Sequence, residues 1–336
     1  MKRKEANLKQ WKELYELALE VKALKPWEYL WDMDIITILL PEYKEPFYCS
    51  IMGRNGEFTG IGIYHGFKAM NEFFTIIKND GIPSDQLIRY QNCIMCNYGN
   101  REELTKKEWQ LTKDLGYKFR GKNNWIYFHS FKSGYAPFML EQEEVLKAIE
   151  VFKGLIMALR SYIFKGIKVD FENGEVLLRH YDEERELWFN RPAPMFLPPM
   201  EYPIPIIQDE LLISKLKKQE NNGKVIEIDI AYLNALIDDK DYQRPIIPRT
   251  NIIADKGLGI VIDFDTIGPD EDDTQVILGT VINYIMNNGR PKTIFARDGY
   301  IKSILEDLCS RTDINLKTKG RLTTIDKFMR ELSETM

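Results

Sequence analysis

The chain has 336 residues, of which 44% are hydrophobic and 12% aromatic. This composition is typical of globular proteins and excludes a chain that is disordered throughout. Because single hydrophobic cores stop growing at about 250–300 residues, the length predicts two domains. The 46 Lys and Arg residues and 51 Asp and Glu residues give a net charge of −5. Neither half has the basic excess of a nucleic-acid-binding protein, so nucleic acid is not the expected partner.

The sequence contains no pattern typical of export or of a membrane anchor. Its basic N-terminal residues precede an amphipathic pattern, whereas a secretory signal would continue with an apolar run. The longest nearly uncharged runs, such as residues 35–40, fall far short of the roughly 20 residues of a membrane helix. Four cysteines in so long a chain do not predict a disulfide framework. We therefore predict a cytoplasmic protein without a membrane partner.

The first half alternates between helical and strand-like patterns. Apolar residues recur at three- and four-residue steps from Trp11 to Val21, and they predict a helix that Pro26 ends. Further predicted elements are strands over 35–40, 47–52 and 58–64, a helix over 67–77, an extended segment over 87–96, a helix over 102–115, a strand over 125–131, a helix over 141–164, and strands over 168–171 and 176–180. Residues 1–190 are thus predicted to form a mixed-sheet α+β domain.

An aromatic segment follows the first helix. Residues 24–32 read LKPWEYLWD and place Trp27, Tyr29 and Trp31 close together. We interpret them as a plug in the core under the first helix, because large aromatic side chains dominate core energetics.

A proline-rich segment divides the chain. Residues 191–206 read RPAPMFLPPMEYPIPI and contain six of the 15 prolines. Proline lacks a backbone donor and fixes φ, so this segment cannot be a helix interior or a central strand. It is predicted to be a semi-rigid linker. A proline-rich ligand for a recognition domain is the alternative.

The second half, residues 207–336, has a more regular pattern. It predicts a charged helix over 210–220, and then strands over 225–230, 246–254 and 258–264. A helix over 274–286, a strand over 293–296, a helix over 300–309, a strand over 314–317 and a helix over 325–332 follow. Strand alternation places Glu227 and Asp229 on one face of the first of these strands, opposite its three isoleucines.

This order of elements resembles the ribonuclease H-like fold, and especially the integrase and transposase core. The strand VIEIDI (225–230) is similar to the acidic first strand of that family, and PKTIFARDG (291–299) is similar to its fourth strand with a following aspartate. The resemblance implies that Asp229 and Asp298 bind Mg²⁺ or Mn²⁺, with Glu331 or Glu334 completing the set. Such carboxylates hold two cations that clamp the attacking and leaving oxygens in phosphoryl transfer.

Three departures from the family pattern favour a ribonuclease H-like domain without that chemistry. The helix over 274–286 carries no acidic residue, Glu331 and Glu334 lie close to residue 336, and the composition gives no basic surface. The whole chain also resembles bacterial two-domain proteins of unknown function. The motifs are LKPWEYLWD (24–32), GIVID (259–263) and FARD (295–298), and this resemblance implies no activity.

Cys93 and Cys96 form a single Cys-x-x-Cys motif in a segment predicted to be extended. A redox pair is favoured at a helix N-terminus, whereas a three-residue step along a strand sends the two side chains to opposite faces. A zinc site needs two more ligands, and no other Cys or His stands at ligand spacing. We interpret both cysteines as buried structural thiols.

Six acidic residues between positions 263 and 273 invite comparison with a calcium-binding loop. Asp263, Asp265 and Gly268 match the beginning of an EF-hand, but Ile267 stands at a ligand position and Thr274 replaces the bidentate glutamate. The favoured interpretation is a polar loop in which Asp272 or Asp273 caps the next helix.

The sequence thus leaves two functions open. The first is a non-catalytic cytoplasmic protein that binds a protein or a small molecule and has no cofactor. The alternative is a divalent-metal-dependent nuclease or phosphoryl transferase that acts on nucleic acid through Asp229 and Asp298.

Overall fold

A computed structural model gives the structure of the chain and describes residues 3–79, 81–233, 235–238 and 242–335. Two compact units are present. The first comprises Met1–Phe74, Gln91–Lys132 and Pro137–Pro199, and the second comprises Thr75–Tyr90, Ser133–Ala136 and Met200–Met336. The predicted α+β class with two domains is confirmed. None of the helices in the described ranges is long and apolar enough to cross a bilayer.

The first unit is built on a seven-stranded mixed sheet. Its helices are α1 (Leu8–Leu24), α2 (Gly66–Lys78, which ends in the second unit), α3 (Lys106–Asp114) and α4 (Gln142–Lys165). Its strands are β1 (Ile36–Ile38), β2 (Phe47–Met52), β3 (Gly60–His65), β4 (Cys93–Gly99), β5 (Trp125–Phe131), β6 (Glu175–Asp182) and β7 (Leu187–Pro194). The strand order is β5-β4-β3-β2-β1-β6-β7, with β1 and β6 parallel and all other neighbours antiparallel.

Apolar side chains cover both faces of this sheet. Helices α1 and α4 supply Trp11, Tyr15 and Phe152 to a core that also contains Phe128 of β5. Helix α2 packs on the other face, where Phe73 meets a smaller cluster. Alternate strand residues therefore point into different cores, as a period of two requires.

Several predictions for this unit need correction. Residues 84–90, partly predicted as extended, form a 3₁₀ helix because the Gln86 carboxamide exchanges hydrogen bonds of 2.9 and 2.8 Å with the Tyr232 backbone, a contact within the second unit that sequence does not reveal. The strand predicted over 168–171 is wrong, because the Asp170 side chain accepts from Asn173 and stabilises a 3₁₀ turn at Phe171–Asn173. The helix predicted from residue 102 begins at Lys106.

The aromatic segment and the proline-rich segment are only partly as predicted. Trp27 packs 5.4 Å from the Tyr98 ring, but Tyr29 and Trp31 are each 45% exposed, so the plug interpretation is wrong for these two rings. Strand β7 extends through Pro194, into the segment predicted to be a linker. An edge strand accepts proline because its outward backbone groups need no partner.

The second unit contains a five-stranded sheet. Its helices are α5 (Glu210–Lys218), α6 (Asp273–Asn288), α7 (Gly299–Arg311) and α8 (Thr323–Thr335). Its strands are β8 (Val225–Tyr232), β9 (Arg249–Asp255), β10 (Ile260–Ile267), β11 (Thr293–Ala296) and β12 (Asn315–Thr318). The order is β10-β9-β8-β11-β12; β9 is antiparallel to β8 and β10, whereas β8, β11 and β12 are parallel.

Helices lie on both faces of this sheet. Helices α5, α6 and α7 bury the isoleucines of β8 on one face, including Ile226 and Ile228. On the other face α8 packs through Ile325 and Met329 against Ile252 of β9. The central strand β8 is consequently covered on both sides, and the polar residues on its α8 side are buried.

Candidate functional site

Strand β8 carries two acidic side chains on its α8 side. Glu227 and Asp229 are both 0% exposed, and Ile228 between them faces the opposite core. This is the alternation that the sequence predicts. A buried carboxylate is costly unless it is paired and hydrogen-bonded, so the partners of these two residues determine what the site can do.

Two arginines hold the carboxylate of Asp229. Arg89 donates from Nη1 to Oδ1 at 2.9 Å and from Nη2 to Oδ2 at 3.1 Å, and Arg297 donates from Nε to Oδ2. Burial alone would raise the pKa of Asp229, but the Arg297 and Arg89 guanidinium groups outweigh burial and hold that pKa below its usual value. Asp229 is therefore an ionised carboxylate with both oxygens engaged.

Asp298 lies beside the same arginine. Its Oδ1 caps α7 by accepting from the Ile301 backbone N–H at 3.0 Å, and its Oδ2 accepts from the Tyr90 hydroxyl at 2.7 Å. Arg89 Nη1 is 3.5 Å from Asp298 Oδ2. The predicted neighbourhood of Asp229 and Asp298 is confirmed, because β8 and β11 are parallel neighbours and Asp298 follows β11.

Arg297 extends the ion-pair network to α8. Its Nη2 donates to Asp326 Oδ1 at 2.6 Å, and its Nη1 donates to the Gly320 carbonyl at 2.8 Å. Asp326 Oδ2 accepts from the Leu322 backbone N–H at 2.9 Å, so both oxygens of Asp326 are engaged as well. Burial raises the pKa of Asp326, the charge of Asp229 adds to that rise, and Arg297 opposes it. We call Arg89, Asp229, Arg297 and Asp326 the arginine–aspartate network.

Glu227 has a separate structural role. Its Oε1 accepts from the Thr323 backbone N–H at 3.1 Å, and its Oε2 accepts from the N–H groups of Thr324 at 2.9 Å and Ile325 at 3.3 Å. These donors belong to the first turn of α8, which has no intrahelical partners for them. A carboxylate there also interacts favourably with the helix dipole. Glu227 thus fixes the start of α8 over the sheet.

The residues around Asp229 do not fit a divalent cation in this arrangement. A cation would have to displace guanidinium groups from both carboxylate oxygens, and those groups repel it. In the parts of the chain that the structure describes, no group of three His, Cys, Asp or Glu side chains is placed to hold a metal ion. The predicted third ligand, Glu331, is 63% exposed and lies 3.8 Å from Lys327, and Glu334 is also exposed.

A cleft opens beside the network in the second unit. It has a volume of about 440 Å³ and lies between the segment at Ser84 and Asp85 and the α8 residues Asp326 and Arg330. Arg321 also lines it, as do Gly81, Pro83 and Ser333. We call this cavity the α8 cleft.

The free charge in the α8 cleft is positive. Neither Arg321 nor Arg330 forms an ion pair with a carboxylate of the described residues. Asp326 is neutralised by Arg297, and Asp85 accepts from the Gln86 amide at 2.8 Å. Two exposed guanidinium groups therefore face the cleft with one uncompensated aspartate.

The other predicted sites have structural explanations. Cys93 and Cys96 are free thiols on opposite faces of β4, in different hydrophobic clusters. Burial raises the pKa of Cys93 to about 12 and raises that of Cys96 further, which disfavours thiolate chemistry. Cys96 is buried as predicted, whereas Cys93 is only partly buried.

In the acidic run, Asp263 and Asp265 belong to strand β10, whose pairing with β9 shifts register between Val261 and Asp263. Asp272 caps α6 by accepting from Thr274 at 2.9 Å, and Asp273 pairs with Arg249 at 2.7 Å. The capping interpretation is confirmed. Because Asp263 and Asp265 lie in a strand and not in a loop, they do not form the beginning of an EF-hand loop.

Sequence reasoning missed the basic half of the network. Arg297 had a visible signal, because it stands between an apolar strand and Asp298. A charge at such a position is expected to be buried and therefore needs a partner. Arg89 had none, since 140 positions separate it from Asp229 and its segment was predicted to be extended.

Comparisons with known proteins give families but no activity. The family described as "Domain of unknown function (DUF7309)" matches residues 11–179, about half of the chain, and "Domain of unknown function (DUF6930)" matches residues 212–333. No curated protein matches. One similar solved structure is the simian T-cell lymphotropic virus intasome in complex with PP2A regulatory subunit B56 gamma. That likeness has 17% identity and a TM-score of 0.24 over 36% of this chain and 45% of the other chain. A score this low gives no information about the fold or function of this chain. The aligned part is less than half the length of that chain.

Proposed function

The chain belongs to the DUF7309 family, and we propose that it is a non-catalytic binding protein whose second unit takes a small anionic ligand in the α8 cleft. The ligand would carry a phosphate or carboxylate group. The proposal concerns a small molecule, because the chain has a net charge of −5 and no overall excess of Lys and Arg with which to neutralise a long nucleic acid.

The observation that carries the proposal is the double arginine pairing of Asp229. Both carboxylate oxygens accept from guanidinium groups, and Asp229 is fully buried. A catalytic carboxylate must be free to bind a cation or to exchange a proton. Asp229 is free neither to bind a cation nor to exchange a proton, which supports a structural role for it.

The α8 cleft supports an anionic ligand. Arginine presents a planar set of donors that matches phosphate and carboxylate oxygens, and Arg321 and Arg330 are exposed there. The hydroxyls of Ser84 and Ser333 line the same cavity and offer further donors. A volume of about 440 Å³ is within the range of small-molecule pockets.

We also propose that the second unit is a ribonuclease H-like domain. Its elements follow the predicted order of three strands, helix, strand, helix, strand, helix, and the first strand is central. The fold does not bring the family's activity with it, because function resides in the site. The four free thiols support the predicted cytoplasmic location, and bacterial origin stays a prediction.

The rival function is a Mg²⁺- or Mn²⁺-dependent phosphoryl transferase, and one observation favours it. Arg89 lies within 3.5 Å of both Asp229 and Asp298, so the two predicted ligands are near each other. That function would require Arg89 and Arg297 to leave Asp229 before a cation binds.

Isothermal titration calorimetry on the full chain separates the two functions. We expect inorganic pyrophosphate to bind and the variant Arg321→Gln/Arg330→Gln to lose at least about tenfold in affinity, since each charge-assisted hydrogen bond contributes about 1.5–3 kcal/mol. The matched control is Lys327→Gln, which removes a positive charge from the same helix outside the cleft. It should change the affinity less than about twofold, because an exposed charge there is largely screened.

Two outcomes contradict the proposal. Absence of pyrophosphate binding, or equal loss in the control, would remove the anion site. Binding of Mn²⁺ to the wild type that Asp298→Asn abolishes would favour the transferase instead.

A further inference from the structure

A second cavity lies in the first unit, around the loop between α1 and β1. It has a volume of about 480 Å³, and its apolar wall is formed by Trp31, Met33, Phe74, Phe171 and Met195. Beneath it, Ile35 and Val176 are buried in a hydrophobic cluster. We call it the Trp31 cavity. It is independent of the α8 cleft and of the function proposed for that cleft.

The loop holds Trp31 at the surface. Leu30 is 0% exposed and anchors the segment in the core. The Trp31 backbone N–H donates to Asp34 Oδ2 at 2.8 Å, and the Asp34 N–H donates to the Trp31 carbonyl at 3.0 Å. The indole is 45% exposed although its backbone is fixed by these two bonds. Arg54 lies over one face of the ring at 4.5 Å, so a cation of the protein covers that face and a ligand would meet the other.

Four carboxylates surround the apolar wall. Asp32, Asp34, Glu172 and Glu175 line the cavity, and none of its described lining residues is basic. Asp34 and Glu175 each accept a backbone hydrogen bond of 2.8 Å. The side chains of Asp32 and Glu172 accept no hydrogen bond and form no ion pair with the described residues.

Two of these carboxylates act on Asp34. Burial raises the pKa of Asp34, the Trp31 N–H and Arg54 oppose that rise, and the charges of Asp32 and Glu172 add to it. A neighbouring carboxylate raises the pKa of a carboxyl group because like charges disfavour its ionised form. With four carboxylates and no basic residue among its described lining residues, the cavity is acidic beside an aromatic and aliphatic wall.

We propose that the Trp31 cavity binds a small organic cation, namely an ammonium group attached to an apolar body. The indole face and the carboxylates attract the ammonium group, and the wall at Met33, Phe74 and Met195 buries the body. The four carboxylates exclude anions. The volume is that of a small-molecule pocket, which favours a compact ligand over a protein segment.

The test is a calorimetric titration of the full chain with three matched probes. Benzyltrimethylammonium supplies a cation on an aromatic body, benzyl alcohol is neutral, and benzoate is an anion. We expect the cation to bind, benzyl alcohol to bind at least about tenfold more weakly, and benzoate not to bind. Raising the salt concentration should weaken binding of the cation, because the carboxylates are partly exposed.

Two variants locate the site. Trp31→Leu keeps an apolar side chain but removes the ring face, and it should weaken binding of the cation about threefold to thirtyfold. Glu172→Gln keeps the shape and removes one charge, and it should weaken binding at least about threefold. The controls are Trp188→Leu, another exposed indole with an arginine 4.5 Å from its ring, and Glu183→Gln, an exposed glutamate outside the cavity. Both controls should bind as the wild type does.

The proposal is overturned by no binding of the ammonium probe, by equal binding of benzyl alcohol, by unchanged binding in Glu172→Gln, or by an equal effect of the Trp188 control. A tetra-lysine peptide is the fourth probe. If it binds more tightly than benzyltrimethylammonium in a Trp31-dependent manner, the cavity recognises a basic protein segment and not a small cation.

Discussion

In the first unit, α1 and α4 cover the sheet with apolar side chains such as Trp11 and Phe152, whereas in the second unit α8 covers a sheet face that carries Glu227 and Asp229. The apolar interface gains free energy from buried area and is not directional. The charged interface must satisfy every donor and acceptor, because a buried charge without its partner is costly. Cores of the first kind tolerate adjustment, whereas the arginine–aspartate network requires all of its members together.

The largest effect is expected from a substitution in the charged interface of the second unit. Asp229→Ala leaves Arg89 and Arg297 buried without their shared partner, and it should lower the free energy of unfolding by about 3–5 kcal/mol. Urea denaturation followed by far-UV circular dichroism measures the loss. The control Asp265→Ala removes an exposed aspartate from β10 of the same sheet and should cost less than about 0.5 kcal/mol. A loss below about 1 kcal/mol in Asp229→Ala would mean that the network is not a structural requirement.

A somewhat smaller effect is expected from a substitution in the apolar core of the first unit. Leu155 of α4 is 0% exposed in the main core of the first unit. Leu155→Ala should cost about 2–4 kcal/mol through lost burial and a residual cavity. All six tryptophans lie in the first unit, so their fluorescence follows its unfolding in urea. The control is Leu146→Ala, which truncates a 44% exposed leucine on the same helix, and an equal loss there would contradict the interpretation.

The smallest effect is a pH dependence that only the charged side should show. The pKa of Asp229 is lowered in the folded state, so its stabilising contribution is complete above the unfolded value of about 3.9 and is lost as pH falls through the lowered folded value. The difference in unfolding free energy between wild type and Asp229→Ala should therefore stay constant from about pH 7 to 5 and shrink below about pH 4. Urea denaturation at pH 7, 5, 4 and 3 measures it. A difference that already shrinks between pH 7 and 5 would contradict the lowered pKa.

Local pattern was sufficient for much of the fold. Strands β2, β5 and β11 have the predicted bounds, since each is a short apolar run between turn residues. Capping explains the corrected start of α3, where the Thr105 hydroxyl accepts from the Glu108 N–H at 3.2 Å and the Glu108 carboxylate accepts from the Thr105 N–H at 2.8 Å. Such signals lie within a few residues of one another and can be recognised in a single sequence.

Long-range contacts were not predictable in the same way. Residues 75–90 belong to the second unit although sequence order places them among first-unit elements. Their assignment depends on Gln86 and Arg89 finding partners about 140 positions away, and no local periodicity records such a pairing. The acidic half of the candidate site was predicted from Asp229 and Asp298, but the guanidinium groups that change its chemistry were not.

Strand β7 has a consequence for self-association. It is an edge of the seven-stranded sheet, and Pro192 and Pro194 stand at alternate positions opposite Leu177 and Glu175 of β6. Proline is accommodated where its missing N–H would have faced outward, so this end of the strand lacks two of the donors that an incoming strand would need. Unprotected edges are templates for amyloid-like growth. The two prolines therefore act as a barrier to aggregation on this side of the protein.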